Sequence, residues 1–540
     1  MSHLDSEISE ESRLSAIRPP SRPKHRRPGL AACCAILIPT TLASWTGVAL
    51  SAADQAQEHA DRGLELARSG DLKGAETELR LAVHLSPNQP DYLAGLGGVL
   101  GMQERREEAD QYFEKALKID PGNLMVRRNL AADQWQLGRL KEAATNLERI
   151  LKAKPHDPPT VLLLGMVAEN SRNYAKAADL LGSVPELVKQ RPESIAALGR
   201  SYYQTGQKQK ARETLDHLLH RTVEPKGVYL GGEIASESGD SDTALRLFAS
   251  IRSSYPDQRR LGYEIALAQY RAAHFPEAES MLVDLINSGQ ANSEVYNLLA
   301  RSYYKQDKFQ ETVRAMDQAI DLEPAKESNY LDLGQMLIDR QLLTPAHEVA
   351  QKALERIPNS FRCYMLKGQI EAKRGAFTDA AVTYRRARVL NPDSPEANYN
   401  LARMQWLAGM NDEAVATFEQ GIKHFPQDAP TYVEYATMLL KLAESGDPSA
   451  EARAVSLLKQ ACALDKVAAE PRYQIGNLWL RKGRTTEALP ELLTAARLNP
   501  AEAKTHFALS RAYRRLGQRE EEARELAVYE KLNAQGKKPD

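Results

Sequence analysis

Cysteine is scarce, at 4 in 540 residues, so no dense disulfide framework holds this chain together. Two of the four, Cys33 and Cys34, lie in an N-terminal apolar stretch. The other two, Cys363 and Cys462, stand about three repeats apart on the periodicity described below. That is beyond the roughly 7 Å Cα separation a disulfide can bridge, and both read as small buried thiols. An excess of charge is also missing. Lys+Arg 71 against Asp+Glu 72 leaves a formal net charge of -1, which gives no case for nucleic acid or a polyanionic substrate. Any preference for a charged partner has to come from local patches.

Catalytic constellations are lacking too. The stretch "GLGGVLG" at 95–101 has Leu100 where a GxGxxG fingerprint needs its last glycine, and its helical pattern suits close packing instead. "HEVAQ" at His347 lacks the second histidine of a zinc protease. His217 and His220 could share one helix face, but no third ligand at useful spacing accompanies them. The expectation is therefore a protein with no catalytic, cofactor or metal residues.

What is present begins with the N-terminus. Residues 1–28 are polar, proline-broken and basic, ending in "RPPSRPKHRRPG", and an apolar run occupies 29–53. A basic region, an apolar region and small residues after it are the parts of an export signal. Ala49-Leu50-Ser51 or Ser51-Ala52-Ala53 would suit cleavage. The run, residues 30–53, is also long enough for an uncleaved anchor at about 20 residues. Either alternative places the remainder outside the cytoplasm in a bacterial setting, periplasmic, secreted or tethered to the inner membrane.

The rest of the chain is periodic. Pro87, Pro121 and Pro155 recur at intervals of 34, as do Pro324, Pro358, Pro392 and Pro426, each closing a run such as "ALKIDP" or "ARVLNP". Within the unit ending at Pro121, Leu93, Leu96 and Leu100 line one face of a first helix. Ala109, Phe113, Ala116 and Leu117 line a second, after a polar break. A small residue recurs in each first helix (Gly97, Gly165, Gly199, Gly232, Gly368, Gly476) and an alanine in each second one (Ala109, Ala143, Ala177, Ala380). These permit close approach, and larger residues such as Phe113, Phe248, Tyr384 and Phe418 fill the space between. The proline then stops the second helix, having no N–H to donate and disfavouring helix at the residue before it.

This pattern resembles the tetratricopeptide repeat, a 34-residue helix–turn–helix unit with small, aromatic and proline sites. The resemblance implies an all-α fold, an α-α superhelix or solenoid of about fourteen tandem repeats spanning 54–533, with a disordered tail at 534–540. Departures include a second helix lengthened through "ELVKQRP", shorter units around 227–256, and an insertion, "AESGDPSAEAR", after the helix that starts near Ala429. It also implies that first helices line a concave groove. From Gly232 onward the site three before each small residue then gives Tyr229, Tyr263, Asn297, Leu331, Met365, Tyr399, Val433, Tyr473 and Phe507, and the site just after gives, along the array, Arg200, Arg301, Arg403 and Arg511. Tyrosine and arginine dominate binding hot spots, although these aromatics could equally pack between helices. Tyr202, Tyr303 and Tyr513 read as packing. No unit carries the lysine with which some members of the family clamp a terminal carboxylate. The functional expectation is a scaffold that binds a protein or peptide partner, with assembly of an envelope or exopolysaccharide export machine, or an accessory role in an enzyme complex, as alternatives.

Overall fold

The computed structural model describes residues 51–219, 224–444 and 448–535. The apolar run at 29–53 and His220 lie largely or wholly outside them. Among the described residues no helix is long and apolar enough to cross a membrane. They contain 29 α-helices. Twenty-eight pair into fourteen helical hairpins, from Ala52–Arg68 with Leu72–Leu85 to Ala503–Leu516 with Arg519–Gln535, and the remaining one is the short Pro185–Val188. Cys363 and Cys462 are free thiols, Cys363 buried and Cys462 half-buried.

The chain divides into two compact units, one ending at Leu285 and one starting at Ile286. Seven hairpins begin in each.

The prolines act as the sequence indicates. Second helices stop at Ile119, Ala153, Leu390 and His424, and the residues that follow, Asp120, Lys154, Asn391 and Phe425, leave the helical region with ψ between 63° and 86° just before Pro121, Pro155, Pro392 and Pro426. Two residues after the proline comes the N-cap of the next helix, which starts at the residue following it. The side chains of Asn123, Asp157, Ser360, Ser394 and Asp428 accept hydrogen bonds from the backbone N–H three residues on. A Pro-x-Asn/Asp/Ser triplet thus ends one helix and caps the next, satisfying an N–H that would otherwise lack a partner. Ser51 caps the first helix reciprocally with Asp54, so cleavage at either candidate signal site would remove that cap. The helix it caps begins at Ala52 and the last one ends at Gln535. The array is therefore slightly longer at both ends than the expected 54–533.

Inside most hairpins a small residue of the first helix meets a large one sixteen positions later. A Cβ on Gly97 would stand 2.9 Å from the Phe113 ring, on Gly368 2.8 Å from Tyr384, and on Gly165 2.7 Å from Leu181. Phe113 and Leu181 are fully buried, and burying a side chain of this size contributes about 2 to 3 kcal/mol. The second-helix alanines Ala75, Ala109, Ala143, Ala177, Ala211, Ala244, Ala346, Ala380, Ala414 and Ala488 have no exposed surface at all. Thr312 and Ser510, which replace small residues in this scheme, are also buried, and their hydroxyls donate to the carbonyls of Lys308 and Phe507. At Gly334 the pattern inverts. Its missing Cβ leaves room for Leu366 of the next hairpin, and the position sixteen on is Ala350.

Two local expectations are corrected. The "ELVKQRP" segment does not lengthen the preceding helix, which ends at Gly182; Pro185 breaks it and starts the separate Pro185–Val188 helix. The "AESGDPSAEAR" insertion is absorbed into longer helices, Ala429–Glu444 and Pro448–Leu464, on either side of residues 445–447.

The turns inside the hairpins that the structure describes use a left-handed residue, and Gly70, Gly138, Gly206, Gly375 and Gly409 supply it. At the equivalent place Glu104, Arg172, Ala273, Asp307 and Gln341 adopt φ between 58° and 64°, at a cost of roughly 1 kcal/mol or more each for a residue with a Cβ. Gln341→Gly and Ala273→Gly are expected to raise the midpoint of thermal unfolding, and Gly409→Ala to lower it. Gly232→Ala tests the interlock. Its Cβ would lie 2.3 Å from Cε1 of the fully buried Phe248, so overpacking of about 1 to 3 kcal/mol should outweigh the roughly 1 kcal/mol gained in helix propensity. Adding Phe248→Leu should recover most of the lost midpoint.

Candidate functional site

In the second unit, Leu331, Met365, Tyr399 and Glu434 lie on the first helices of four successive hairpins, Glu327–Asp339, Phe361–Lys373, Pro395–Leu407 and Ala429–Glu444. Together they line a cleft of about 760 Å³. Tyr399 and Arg403, both named from the sequence, meet here because they are one helical turn apart on the same face. A second cleft of about 440 Å³ shares Gln369, Tyr384 and Arg403 with the first.

Arg403 is positioned by two neighbours. Its Nη2 donates to Asn400 Oδ1 at 3.0 Å, and its Nη1 stands 3.6 Å from Glu434 Oε1. Its Nε is buried with no hydrogen-bond partner among the described residues. Burial pushes the Glu434 carboxyl up, against the opposing pull of Arg403. Burial also pushes the Tyr399 hydroxyl up to about 12, with Glu396, Asp428 and Glu434 adding to it, so it stays protonated and able to donate.

The other expected residues are placed less uniformly. Asn297 is half-buried and donates to Asp332 Oδ2 at 3.0 Å and to Asn329 Oδ1 at 3.1 Å, so it bears on the cleft through Asp332. Tyr473 lies in a separate cleft of about 430 Å³ beside Glu470 and Thr505, with the Lys504 ammonium 5.0 Å from its ring centroid. Phe507 is 42% exposed, its ring 5.0 Å from Tyr529. Arg511 and Arg301 are half-buried.

In the first unit, Tyr229 departs from the expectation. It is 4% exposed, stacked on Tyr255 at 4.6 Å, and its hydroxyl accepts from Arg260 Nε at 2.7 Å. The short second helix Ser241–Ser250 leaves its ring to fill core space beside Phe248, so it packs and does not present a surface. Arg200 is drawn to the buried Glu169 at 2.6 Å on the preceding first helix. Tyr263 is half-buried. Tyr202 and Tyr513 pack against buried clusters, as expected.

Sequence reasoning assigned Tyr384 only to helix packing and missed Asp332, Glu396, Asn400 and Glu434. A usable signal was the carboxylate one repeat away from an arginine. Arg200 with Glu169, Arg403 with Glu434 and Arg128 with Asp157 all follow it.

Among the described residues no three His, Cys, Asp or Glu side chains are grouped to hold a metal. A strongly shifted carboxyl belongs to the first unit. Asp110 is 4% exposed, and burial with the neighbouring Asp133 pushes its carboxyl up to about 7 despite Arg139 at 3.2 Å.

Comparison with known proteins bears on the whole array. Residues 75–307 match a family described as the tetratricopeptide repeat protein 21 second ARM domain, and residues 293–326, 371–434 and 473–536 match tetratricopeptide repeat families. The chain is 28% identical over 220 residues to the protein O-mannosyl-transferase TMTC1 of Homo sapiens, covering 40% of this chain and 25% of that one. It is 21% identical over 329 residues to the TPR repeat-containing protein YpiA of Bacillus subtilis, covering 60% and 76%. It is 28% identical over 253 residues to the cellulose synthase operon protein C of Xanthomonas axonopodis, covering 44% and 16%. The chain thus spans about a quarter of the first relative's length and a smaller share of the third.

Asp110 yields a pH prediction. Its folded pKa, about 7, lies above the ordinary aspartate value near 4, so the native state holds the proton more tightly than the unfolded state. Stability contributed by this group is complete below about pH 4 and is lost as pH rises to about 7. Asp110→Asn should raise the unfolding midpoint at pH 8 and leave it nearly unchanged at pH 4, measured by thermal denaturation at both.

Proposed function

The chain belongs to the tetratricopeptide repeat family and is a protein-interaction scaffold of that type, and we propose that it works without catalysis by holding a partner's segment against the first helices of its second unit. One observation carries this reading: four successive first helices contribute Leu331, Met365, Tyr399 and Glu434 to one cleft of about 760 Å³ that also holds Arg403. A side chain from each of several repeats lets a scaffold read an extended segment along its length, as solenoid surfaces do. Tyrosine and arginine at the centre of such a surface supply most of the binding energy.

The same reading places the array outside the cytoplasm, exported or tethered through residues 30–53, supported by the basic segment and apolar run that precede Ser51. Within it, a role in assembling an envelope or exopolysaccharide export machine draws support from the likeness to the Xanthomonas cellulose synthase operon protein C. A role as the repeat-bearing accessory part of an enzyme complex draws support from the partial match to a transferase. Both rest on short shares of those proteins.

A pull-down from the envelope fraction tests the central claim. Tyr399→Ala with Arg403→Glu should abolish capture of at least one partner while the circular dichroism spectrum and unfolding midpoint stay close to wild type. Unchanged capture by the folded variant would move the site away from this cleft. Membrane extraction and the N-terminal sequence of the mature protein would decide between tether and cleaved signal, and a cytoplasmic protein with an intact N-terminus would remove both.

A further inference from the structure

Two hydrogen-bond donors reach the cleft without a partner. Tyr384 is 3% exposed, its ring seated over Gly368, and it lines both the larger cleft and the adjoining one. Burial and through-space charge act on its hydroxyl with no side-chain hydrogen bond among the described residues, and Arg403 Nε is buried there without a partner. A buried donor left unsatisfied is costly, and the group that satisfies both kinds is an oxygen acceptor such as a main-chain carbonyl. The walls beside them, Leu331, Met365 and Phe361, are half-buried and apolar.

Charge decides which segment brings that carbonyl. The cleft's two arginines are already paired, Arg362 with Glu327 at 3.3 Å and Arg403 with Glu434 at 3.6 Å. Asp332 accepts only from Asn297, and Glu396 is exposed; neither has an ion-pair partner among the described residues. The uncompensated charge at the mouth is therefore negative, and a carboxylate entering the cleft would be repelled where a cation would be held.

We propose that this cleft takes an extended segment of a partner protein that offers an apolar side chain flanked by lysine or arginine, and that it discriminates against acidic segments. The apolar side chain lies against Leu331, Met365 and Phe361. A main-chain carbonyl of the segment accepts from Tyr384 and Arg403, and the flanking cation faces Asp332 or Glu396. This deepens the reading of the cleft as the partner site and rests on it.

The test uses the full chain and three fluorescent, end-capped peptides of glycine and serine, each with one leucine flanked by two lysines, two glutamines or two glutamates. Anisotropy at low salt should rank lysine over glutamine over glutamate, by about tenfold from first to last, since each exposed ion pair contributes up to about fivefold. The spread should narrow in high salt. Tyr384→Phe, which keeps the ring, should weaken all three by about threefold to tenfold and keep their order. Asp332→Asn with Glu396→Gln should abolish the order and leave the glutamine peptide unchanged. Equal or tighter binding of the glutamate peptide, an order that survives the double variant, or no binding by any peptide overturns the inference. If it falls while capture in the pull-down still depends on Tyr399 and Arg403, the cleft remains the partner site with a different selectivity. If both fail, the site lies elsewhere.

Discussion

The close approach of the two helices in each hairpin depends on a residue without bulk facing a large one sixteen positions on. Where the first is glycine, the second can be a whole aromatic ring, as with Gly97 and Phe113 or Gly232 and Phe248. Everything else in the array follows from that spacing being held. It sets which face of the first helix turns inward, and so which residues remain for the opposite face. It also confines each hairpin's contacts mainly to its neighbours, which makes stability a sum of local terms. The inversion at Gly334 and Ala350 shows that total volume, more than the position of the large side chain, is what the interior requires.

The cleft is a by-product of the same geometry. Because the small residue of each first helix is committed to the partner helix, the residues three before it and one after it fall together on another face. In the second unit this brings Tyr399 beside Arg403, with Met365 and Leu331 contributed by the two preceding hairpins. One donor of the cleft comes from the layer behind. Tyr384 belongs to a second helix and reaches the surface only because Gly368 lets its ring pass over the backbone. One side chain thus fills the interior and supplies a polar group to the surface.

The architecture was legible because it is written in phase. The prolines, the small residues and the capping Asn, Asp or Ser each recur with the repeat, and a repeated signal survives local exceptions. The site was legible only in part. Tyr399 and Arg403 followed from their register on the helix, whereas Tyr229 obeys the same register and is buried. Nothing in its own helix distinguishes it; the difference lies in Tyr255 and Arg260, which close over it from the next connection and helix. Pairings between arginine and a carboxylate about one repeat away left a usable but loose signal, since their spacing varies from Arg128 and Asp157 to Arg403 and Glu434. The left-handed turn is the reverse case. Its glycines recur in the sequence, yet Glu104, Arg172, Ala273, Asp307 and Gln341 hold the same conformation, because hairpin packing overrides the local preference.

The absorbed insertion alters one rim of the row of helices that carries the cleft. The helix Ala429–Glu444 that carries Glu434 has 16 residues, against 13 in Pro395–Leu407, Phe361–Lys373 and Glu327–Asp339. Three extra residues lengthen a helix by about 4.5 Å. The row of four helices is therefore uneven, with its tallest member at one end. The step falls at the C-terminal end of that helix, past Glu434, so it raises one rim of the row and leaves the stretch that faces the cleft unchanged.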